Sequence, residues 1–265
     1  MSTSGRPRTE ARRVEVAGRH LEVVDAPETG SQAAPLVFLH EGLGCIRLWR
    51  SFPERIATAT GRRVVVYSRA GYGASDPVEL PRSAGYLHHE ALEVLPALLD
   101  KLGIDRPLLV GHSDGASIAL IHAGGSNRAL AGLALLAPHL FVEEHTLGGI
   151  REARRAYLED GLRTRLARYH ADVDNAFWGW NDVWLSPEFG RWSIEEYLPR
   201  ITSPILAIQG EDDRYGTLEQ LVRLRCLSRG SVTIHLLAGC GHSPHLERPE
   251  PTFEALMSWL SGLRR

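Results

Sequence analysis

The chain has 265 residues, of which 43% are hydrophobic and 23% are charged, as expected for one large globular domain or one domain with an insertion. Its formal net charge of −2 favours neither nucleic acid nor an anionic membrane as a partner. The three cysteines are scattered without zinc-ligand spacing, and no apolar run approaches the roughly 20 residues that cross a bilayer. The stretch 2–13 is polar and contains arginines but not the apolar core of a secretory signal. We therefore expect a frayed terminus and a cytoplasmic protein.

In chain order, the first predicted elements are two alternating strands, 14–16 and 20–24, joined by a turn at Gly18. Continuous apolar runs follow at 36–39, 64–67, 108–110, 133–136, 205–208 and 232–237. Such runs are typical of strands that are buried on both faces of a parallel sheet. Helical patterns lie between or after them at 87–102, 116–123, 218–227 and 253–263. This alternation predicts an α/β fold with a doubly wound, mostly parallel sheet of eight strands.

One segment, from residue 138 to residue 199, contains no buried-strand pattern. It has helical stretches rich in Arg, Glu and Ala, and an aromatic run with Trp178, Trp180 and Trp184. About 60 residues are too many for a simple loop, so we predict a helical cap at 138–199, inserted after the sixth strand. The core would then comprise 1–137 and 200–265. We expect the three tryptophans to form either the core of the cap or part of an apolar substrate pocket.

The run Gly111-His112-Ser113-Asp114-Gly115 directly follows one predicted strand and directly precedes a helical pattern. A serine at that point lies on a tight strand-to-helix turn, where the flanking glycines let the backbone pass its neighbours. The turn holds the hydroxyl at the carboxyl edge of the sheet, where ligands bind in open α/β folds. The amide of Asp114 is then placed to stabilise an oxyanion. Ser113 is therefore the candidate nucleophile, although a serine that merely caps the helix has the same short pattern.

A serine nucleophile needs a base, and the base needs an acid that orients it. Three acids, Glu211, Asp212 and Asp213, follow the strand at 205–208. A glycine-flanked loop after the strand at 232–237 contains His242 and His245. The pattern of residues alone does not decide which of the three acids orients the base or which of the two histidines is the base.

The order of these elements resembles that of the α/β-hydrolase superfamily, in which a serine elbow, a late acid and a Gly-His loop follow one another. Two further motifs are similar to that family. His40-Glu41-Gly42-Leu43-Gly44 resembles its oxyanion loop, and the run from Arg69 to Asp76 resembles its Gly-x-Gly-x-Ser turn. The resemblance covers nearly the whole chain from Val14 onward, and it includes the position of the cap. It implies a capped serine hydrolase similar to esterases, enol-lactonases and carbon–carbon hydrolases.

The resemblance also implies roles for particular residues. Asp213 matches the position of the family's acid, with Asp212 as the alternative, and His242 matches the Gly-His position. The implied catalytic residues are Ser113, Asp213 and His242, and the implied oxyanion amides are those of Gly42 and Asp114. No cofactor and no metal are implied. Glu41 departs from the family because it stands where a glycine is usual. It is interpreted either as a charged contact to the substrate or as a side chain turned away into a salt bridge.

The predicted activity is acyl transfer to water from a small or medium, partly apolar ester, thioester or lactone. A carbon–carbon hydrolase of ring-cleavage products, a cofactor-free haloperoxidase-like enzyme and a non-hydrolytic small-molecule receptor are the alternatives. Dehalogenases and epoxide hydrolases are disfavoured because the nucleophile in those enzymes is normally an aspartate. The expected partner is a small-molecule substrate, with no nucleic acid and no membrane, and a homo-oligomer is compatible with the sequence.

Overall fold

A computed structural model describes residues 10–263, so most of the predicted frayed terminus lies outside the described residues. Eight strands form one sheet in the order β1-β2-β4-β3-β5-β6-β7-β8. Their bounds are β1 Arg12–Val16, β2 Arg19–Ala26, β3 Leu36–Leu39, β4 Val64–Ser68, β5 Leu108–His112, β6 Gly132–Leu136, β7 Ile205–Gly210 and β8 Val232–Leu237. Strand β2 is antiparallel to β1 and β4, and all other neighbours are parallel. The predicted fold class is therefore confirmed.

The middle of the sheet is buried because its strands are apolar on both faces. Every residue of β3, β5 and β6 is buried, and helices cover both sides. The helices are α1 Phe52–Thr60, α2 Tyr86–His89, α3 Leu95–Lys101, α4 Asp114–Gly125, α5 Glu144–Leu158, α6 Leu162–Leu166, α7 Val173–Trp184, α8 Glu219–Leu227, α9 Pro244–Glu247 and α10 Pro249–Gly262. A π-helical stretch, Glu90–Val94, joins α2 to α3. None of the helices in residues 10–263 has the length and hydropathy of a membrane span.

Apart from the four-residue α9, helix α1 is the one α-helix packed on the described sheet that the apolar pattern did not predict. Its sequence mixes Phe, Pro and Ile with polar and small residues, so a continuous helical stripe is weak. Its ends were nevertheless visible in the sequence. Pro53 lies in the first turn, and Gly61 ends the helix with a left-handed φ of 64°.

The chain between β6 and β7 forms helices α5, α6 and α7 and two short 3₁₀ turns, Phe189–Arg191 and Glu195–Arg200. Aromatic side chains pack this region together. Tyr157 of α5 stacks on Phe177 of α7 with ring centroids 3.7 Å apart. A division of the chain into a core and a separate cap domain at 138–199 stays a prediction.

Candidate active site

Ser113 lies between β5 and α4 in a strained backbone conformation, with φ 52° and ψ −116°. The two glycines of the motif are required by close packing. A Cβ on Gly115 would lie 1.9 Å from the carbonyl oxygen of Leu39, and one on Gly111 would lie 2.4 Å from the carbonyl oxygen of Gly115. Only residues without a Cβ fit there, so the sequence folds into the sharp turn that raises the serine hydroxyl at the sheet edge.

Side chains from two later loops form a chain of hydrogen bonds that begins at Ser113. His242 lies after β8, and its Nε2 is 2.9 Å from the Ser113 Oγ. Its Nδ1 is 2.9 Å from each of the two carboxylate oxygens of Asp213, which lies after β7. Asp213 also accepts a hydrogen bond of 2.8 Å from the backbone amide of Tyr215. The serine, the imidazole and the carboxylate thus form one continuous chain of hydrogen bonds.

The alternative candidates lie elsewhere. Glu211 and Asp212 are exposed to solvent, whereas Asp213 is buried. His245 is buried away from the serine, with its ring centroid 4.7 Å from that of Trp49. Geometry therefore joins Asp213 and His242 to Ser113, and it leaves Asp212 and His245 outside the chain of hydrogen bonds.

The environment of these three hydrogen-bonded residues keeps the acid charged and the neighbouring His139 neutral. Burial alone would raise the pKa of Asp213, but the charge and hydrogen bond of His242 outweigh burial and hold the pKa below its ordinary value. His139 lies beside the base, with ring centroids 5.5 Å apart. Burial lowers the pKa of His139 to about 3, so its imidazole is neutral near pH 7. The Asp213 carboxylate is consequently the charged group that directly contacts His242.

Gly42 and Asp114, the two residues with candidate oxyanion amides, both line the cavity in front of Ser113. Within residues 10–263, neither of these two amides donates a hydrogen bond to a protein acceptor. Gly42 is packed against the indole of Trp180, since a Cβ there would lie 2.2 Å from the indole nitrogen. Asp114 is the first residue of α4, where backbone amides have no acceptor within the helix. Both amides are thus available to a ligand.

Glu41 makes a contact that the sequence left undecided. Its carboxylate lies 3.4 Å from Nδ1 of the buried His112, while Nε2 of His112 donates a 2.8 Å hydrogen bond to the carbonyl oxygen of His242. Burial would raise the pKa of Glu41, but the contact with His112 outweighs it, and the pKa falls well below its ordinary range. The pKa of His112 is raised in turn, since the effect of Glu41 exceeds that of burial. Glu41 also borders the cavity, so both interpretations from the sequence describe part of its environment.

The cavity in front of Ser113 has a volume of about 110 Å³. The residues that line it are Glu41, Gly42, Leu43, Ser113, Asp114, His139, Thr146, Ile150, Trp180, Trp184, Tyr215 and His242. A larger groove of about 900 Å³ lies near the amino ends of β6, β7 and β8 and contains none of these residues. Ser113 therefore faces the smaller cavity and not the larger groove.

Of the three predicted pocket tryptophans, Trp180 and Trp184 line the cavity and Trp178 does not. The expectation for Trp178 is corrected because its ring packs instead against Tyr157 and Phe177. Sequence reasoning also missed His139. That histidine follows β6 by three residues, so the rule that placed Asp213 at a strand's carboxyl end could have found it.

Comparison with known proteins identifies the family. The sequence profile described as the alpha/beta hydrolase family matches residues 36–255. The chain is 24% identical to 2-hydroxy-6-oxononadienedioate/2-hydroxy-6-oxononatrienedioate hydrolase 1 of Dechloromonas aromatica, with 88% of this chain and 89% of that protein covered. It is 23% identical to proline iminopeptidase of Lactobacillus delbrueckii subsp. bulgaricus, with 86% and 90% covered.

Among solved structures, a thermophilic esterase from Thermogutta terrifontis shares the fold with a TM-score of 0.75 at 19% identity. That alignment covers 96% of this chain and 100% of the esterase. The profile match extends from β3 into α10 and includes the elbow serine, the acid and the histidine. The chain belongs to the alpha/beta hydrolase family.

Proposed function

We propose that this protein is a serine hydrolase that cleaves a small or medium, partly apolar carboxylic ester, thioester or lactone through an acyl-enzyme. The observation that carries the proposal is the chain of hydrogen bonds from Ser113 through His242 to Asp213, which faces a cavity with two free amides. A strained elbow, a base with an accessible second nitrogen and a buried acid are the parts that nucleophilic acyl transfer requires.

In the proposed reaction, Nε2 of His242 takes the proton from the Ser113 hydroxyl as its oxygen attacks the carbonyl carbon. The amides of Gly42 and Asp114 stabilise the resulting oxyanion. Asp213 keeps the proton of the neutral imidazole on Nδ1 and stabilises the imidazolium. The imidazolium then protonates the leaving group. A water molecule, deprotonated by the same histidine, attacks the acyl-enzyme and releases the acid.

The size of the cavity supports a short acyl group. Its volume of about 110 Å³ is smaller than the roughly 150 Å³ of an apolar cavity that holds benzene. Trp180, Trp184 and Ile150 supply apolar walls. A chain of a few carbon atoms fits this space better than a long acyl chain, so esters of short acids are the expected substrates.

The charge of the cavity supports an ester or lactone over the substrates named for the hydrolase of Dechloromonas aromatica, which are dicarboxylates. Two acidic residues, Glu41 and Asp114, line the cavity, and no Lys or Arg of residues 10–263 does so. Both carboxylates already have buried partners, His112 for Glu41 and Arg69 for Asp114, so an anionic substrate would find no free countercharge in the wall among residues 10–263. Carbon–carbon cleavage of such substrates is the less favoured activity.

The test is a labelling and turnover experiment. A fluorophosphonate probe should label the wild-type protein and not Ser113→Ala, and p-nitrophenyl acetate or butyrate should be hydrolysed faster than the decanoate. The mono-p-nitrophenyl ester of succinic acid should react at least about tenfold more slowly than the butyrate, because it carries a carboxylate. Equal labelling of Ser113→Ala would refute the assigned nucleophile. Binding of esters without turnover would favour the receptor, and bromination that requires peroxide and halide would favour the haloperoxidase-like activity.

A further inference from the structure

Arg69 is a fully buried cation that the proposed reaction does not explain. It follows β4 directly, and its side chain is completely shielded from solvent. A buried charge is costly unless it is paired and hydrogen-bonded. Yet only Nη2 of its three guanidinium nitrogens forms hydrogen bonds, since Nε and Nη1 have no hydrogen-bond partner within residues 10–263. Stability of the fold is therefore a weak reason for an arginine at this position.

The third nitrogen, Nη2, contacts both segments that supply a candidate oxyanion amide, namely the loop after β3 and the start of α4. It donates a hydrogen bond of 2.8 Å to the carbonyl oxygen of Glu41 and lies 3.4 Å from that of His40. The same nitrogen lies 3.5 Å from the carboxylate of Asp114. One guanidinium thus joins the loop after β3 to the first residue of α4.

The contact with Glu41 fixes the direction of the Gly42 amide. The carbonyl of Glu41 and the N–H of Gly42 belong to one peptide unit, which is planar, and in the trans form they point in opposite directions. Arg69 binds the carbonyl end of that unit, so the N–H end points away from Arg69. His40 supports the same orientation, because its Nδ1 donates a 2.7 Å hydrogen bond to this carbonyl while its Nε2 accepts one of 3.0 Å from the Arg69 amide.

The contact with Asp114 acts on the other amide. The Asp114 carboxylate is held by Arg69 and by the hydroxyl of Tyr86, which donates a 2.6 Å hydrogen bond to it. The indole of Trp184 donates to the same hydroxyl at 3.0 Å. These contacts fix the side chain of the residue whose backbone N–H is the second candidate donor.

We propose that Arg69 is the positioning residue of the oxyanion hole, holding the Glu41–Gly42 peptide and the amino end of α4 at the spacing that an oxyanion requires. The inference rests on the serine hydrolase function proposed above. Arg69 does not touch the substrate in this arrangement. It acts through the two amides, and its positive charge lies behind the position where negative charge develops.

The test compares Arg69→Met, which keeps an unbranched stem and removes the charge and the donors, with Arg69→Lys, which keeps the charge. Arg82→Met is the matched control, because it removes a neighbouring guanidinium that hydrogen-bonds the carbonyl oxygen of Ala70, outside the oxyanion hole, and leaves Arg69 in place. Active sites are first counted by fluorophosphonate titration, so that kcat refers to sites that can react. A trifluoromethyl ketone then measures affinity for the oxyanion adduct, and KM for p-nitrophenyl acetate and Tm are recorded for each variant.

We expect Arg69→Met to lower kcat per titrated site by about 10²-fold, the loss typical of one oxyanion donor. Affinity for the trifluoromethyl ketone should fall by a similar factor, with KM within threefold of wild type. The kcat of Arg69→Lys should be about tenfold higher than that of Arg69→Met and about tenfold lower than that of the wild type. One ammonium cannot reproduce both contacts of the guanidinium. Arg82→Met should change kcat less than fivefold, since both amides keep their support by Arg69.

A wild-type kcat and ketone affinity per titrated site in Arg69→Met, with only the number of sites or Tm reduced, would show a purely structural role and overturn the proposal. If Arg69→Met does not fold, Arg69→Lys decides, and wild-type values for that variant overturn the proposal as well. A different outcome is a wild-type protein that is neither labelled by the probe nor active on any ester. That result overturns the proposed function itself, and this role of Arg69 with it.

Discussion

Replacing Asp213 by asparagine tests the candidate acid, and the structure gives a reason for the size of the effect. Both carboxylate oxygens lie 2.9 Å from Nδ1 of His242, and one of them also accepts the amide proton of Tyr215. An asparagine has a single acceptor oxygen, which the Tyr215 amide will hold. Its NH₂ group then faces Nδ1, and Nδ1 must become the acceptor. The imidazole proton therefore moves to Nε2, which can no longer accept the proton of Ser113.

We expect Asp213→Asn to lower kcat by about 10⁴-fold, the loss known for the same change in a serine protease triad. At about 1.4 kcal/mol for each factor of ten, this corresponds to roughly 5.5 kcal/mol of transition-state stabilisation. The matched control is Asp212→Asn, whose side chain is exposed and should change kcat less than twofold. The assay is hydrolysis of p-nitrophenyl acetate per titrated site. More than a tenth of wild-type activity in Asp213→Asn, or a collapse in Asp212→Asn, would refute the assigned acid.

Three further predictions concern packing, pH and acyl length. Gly115→Ala should lower the free energy of unfolding by about 3 kcal/mol in denaturant titrations, because its Cβ meets backbone 1.9 Å away. The control, Gly148→Ala, lies in open space on α5 and should raise the free energy of unfolding by about 0.5–1 kcal/mol. Changes of the same sign in the two variants would contradict this prediction. The pKa of Glu41 is depressed by folding, so its stabilising effect exists above the unfolded value near 4.3 and disappears as pH falls towards the folded value. The Tm gap between wild type and Glu41→Gln should therefore narrow below about pH 4.5; a gap that is constant from pH 7 to pH 3 argues against the ion pair. Trp180→Ala should raise the octanoate-to-acetate ratio of kcat/KM at least about fivefold, and an unchanged ratio would place Trp180 outside the acyl site.

The sequence was most informative where the candidate catalytic residues lie in loops that directly follow a strand. Ser113, Asp213 and His242 each lie in a loop that begins at the carboxyl end of a parallel strand, and such ends share one edge of the sheet. Apolar runs located those strands, so the loops could be placed together without coordinates. The choice of Asp213 over Asp212 needed the family pattern, because neighbouring acids in one loop differ only in the direction of their side chains.

The tryptophans show what a residue list misses and what helical spacing can add. Trp180 and Trp184 are four residues apart on α7 and therefore lie on the same face of the helix, which borders the cavity. Trp178 is two residues from Trp180 and lies on a different face. Once the segment is known to be helical, this spacing alone separates Trp178 from the other two. The contacts of Glu41 and Arg69 could not be obtained in this way, since their partners come from strands and loops distant in the sequence.

The charges around Ser113 are arranged as the proposed reaction requires. Charge separates during the attack, with an imidazolium forming at His242 and an oxyanion forming near Gly42 and Asp114. The group that directly contacts His242 is the Asp213 carboxylate, while the nearby His139 is kept neutral by burial. The buried cation Arg69 lies instead behind the two amides. Because these groups are already fixed in the folded protein, they need not reorganise as the charges develop. In the proposed reaction, the same residues that make the fold electrostatically costly would therefore lower the energy of the transition state.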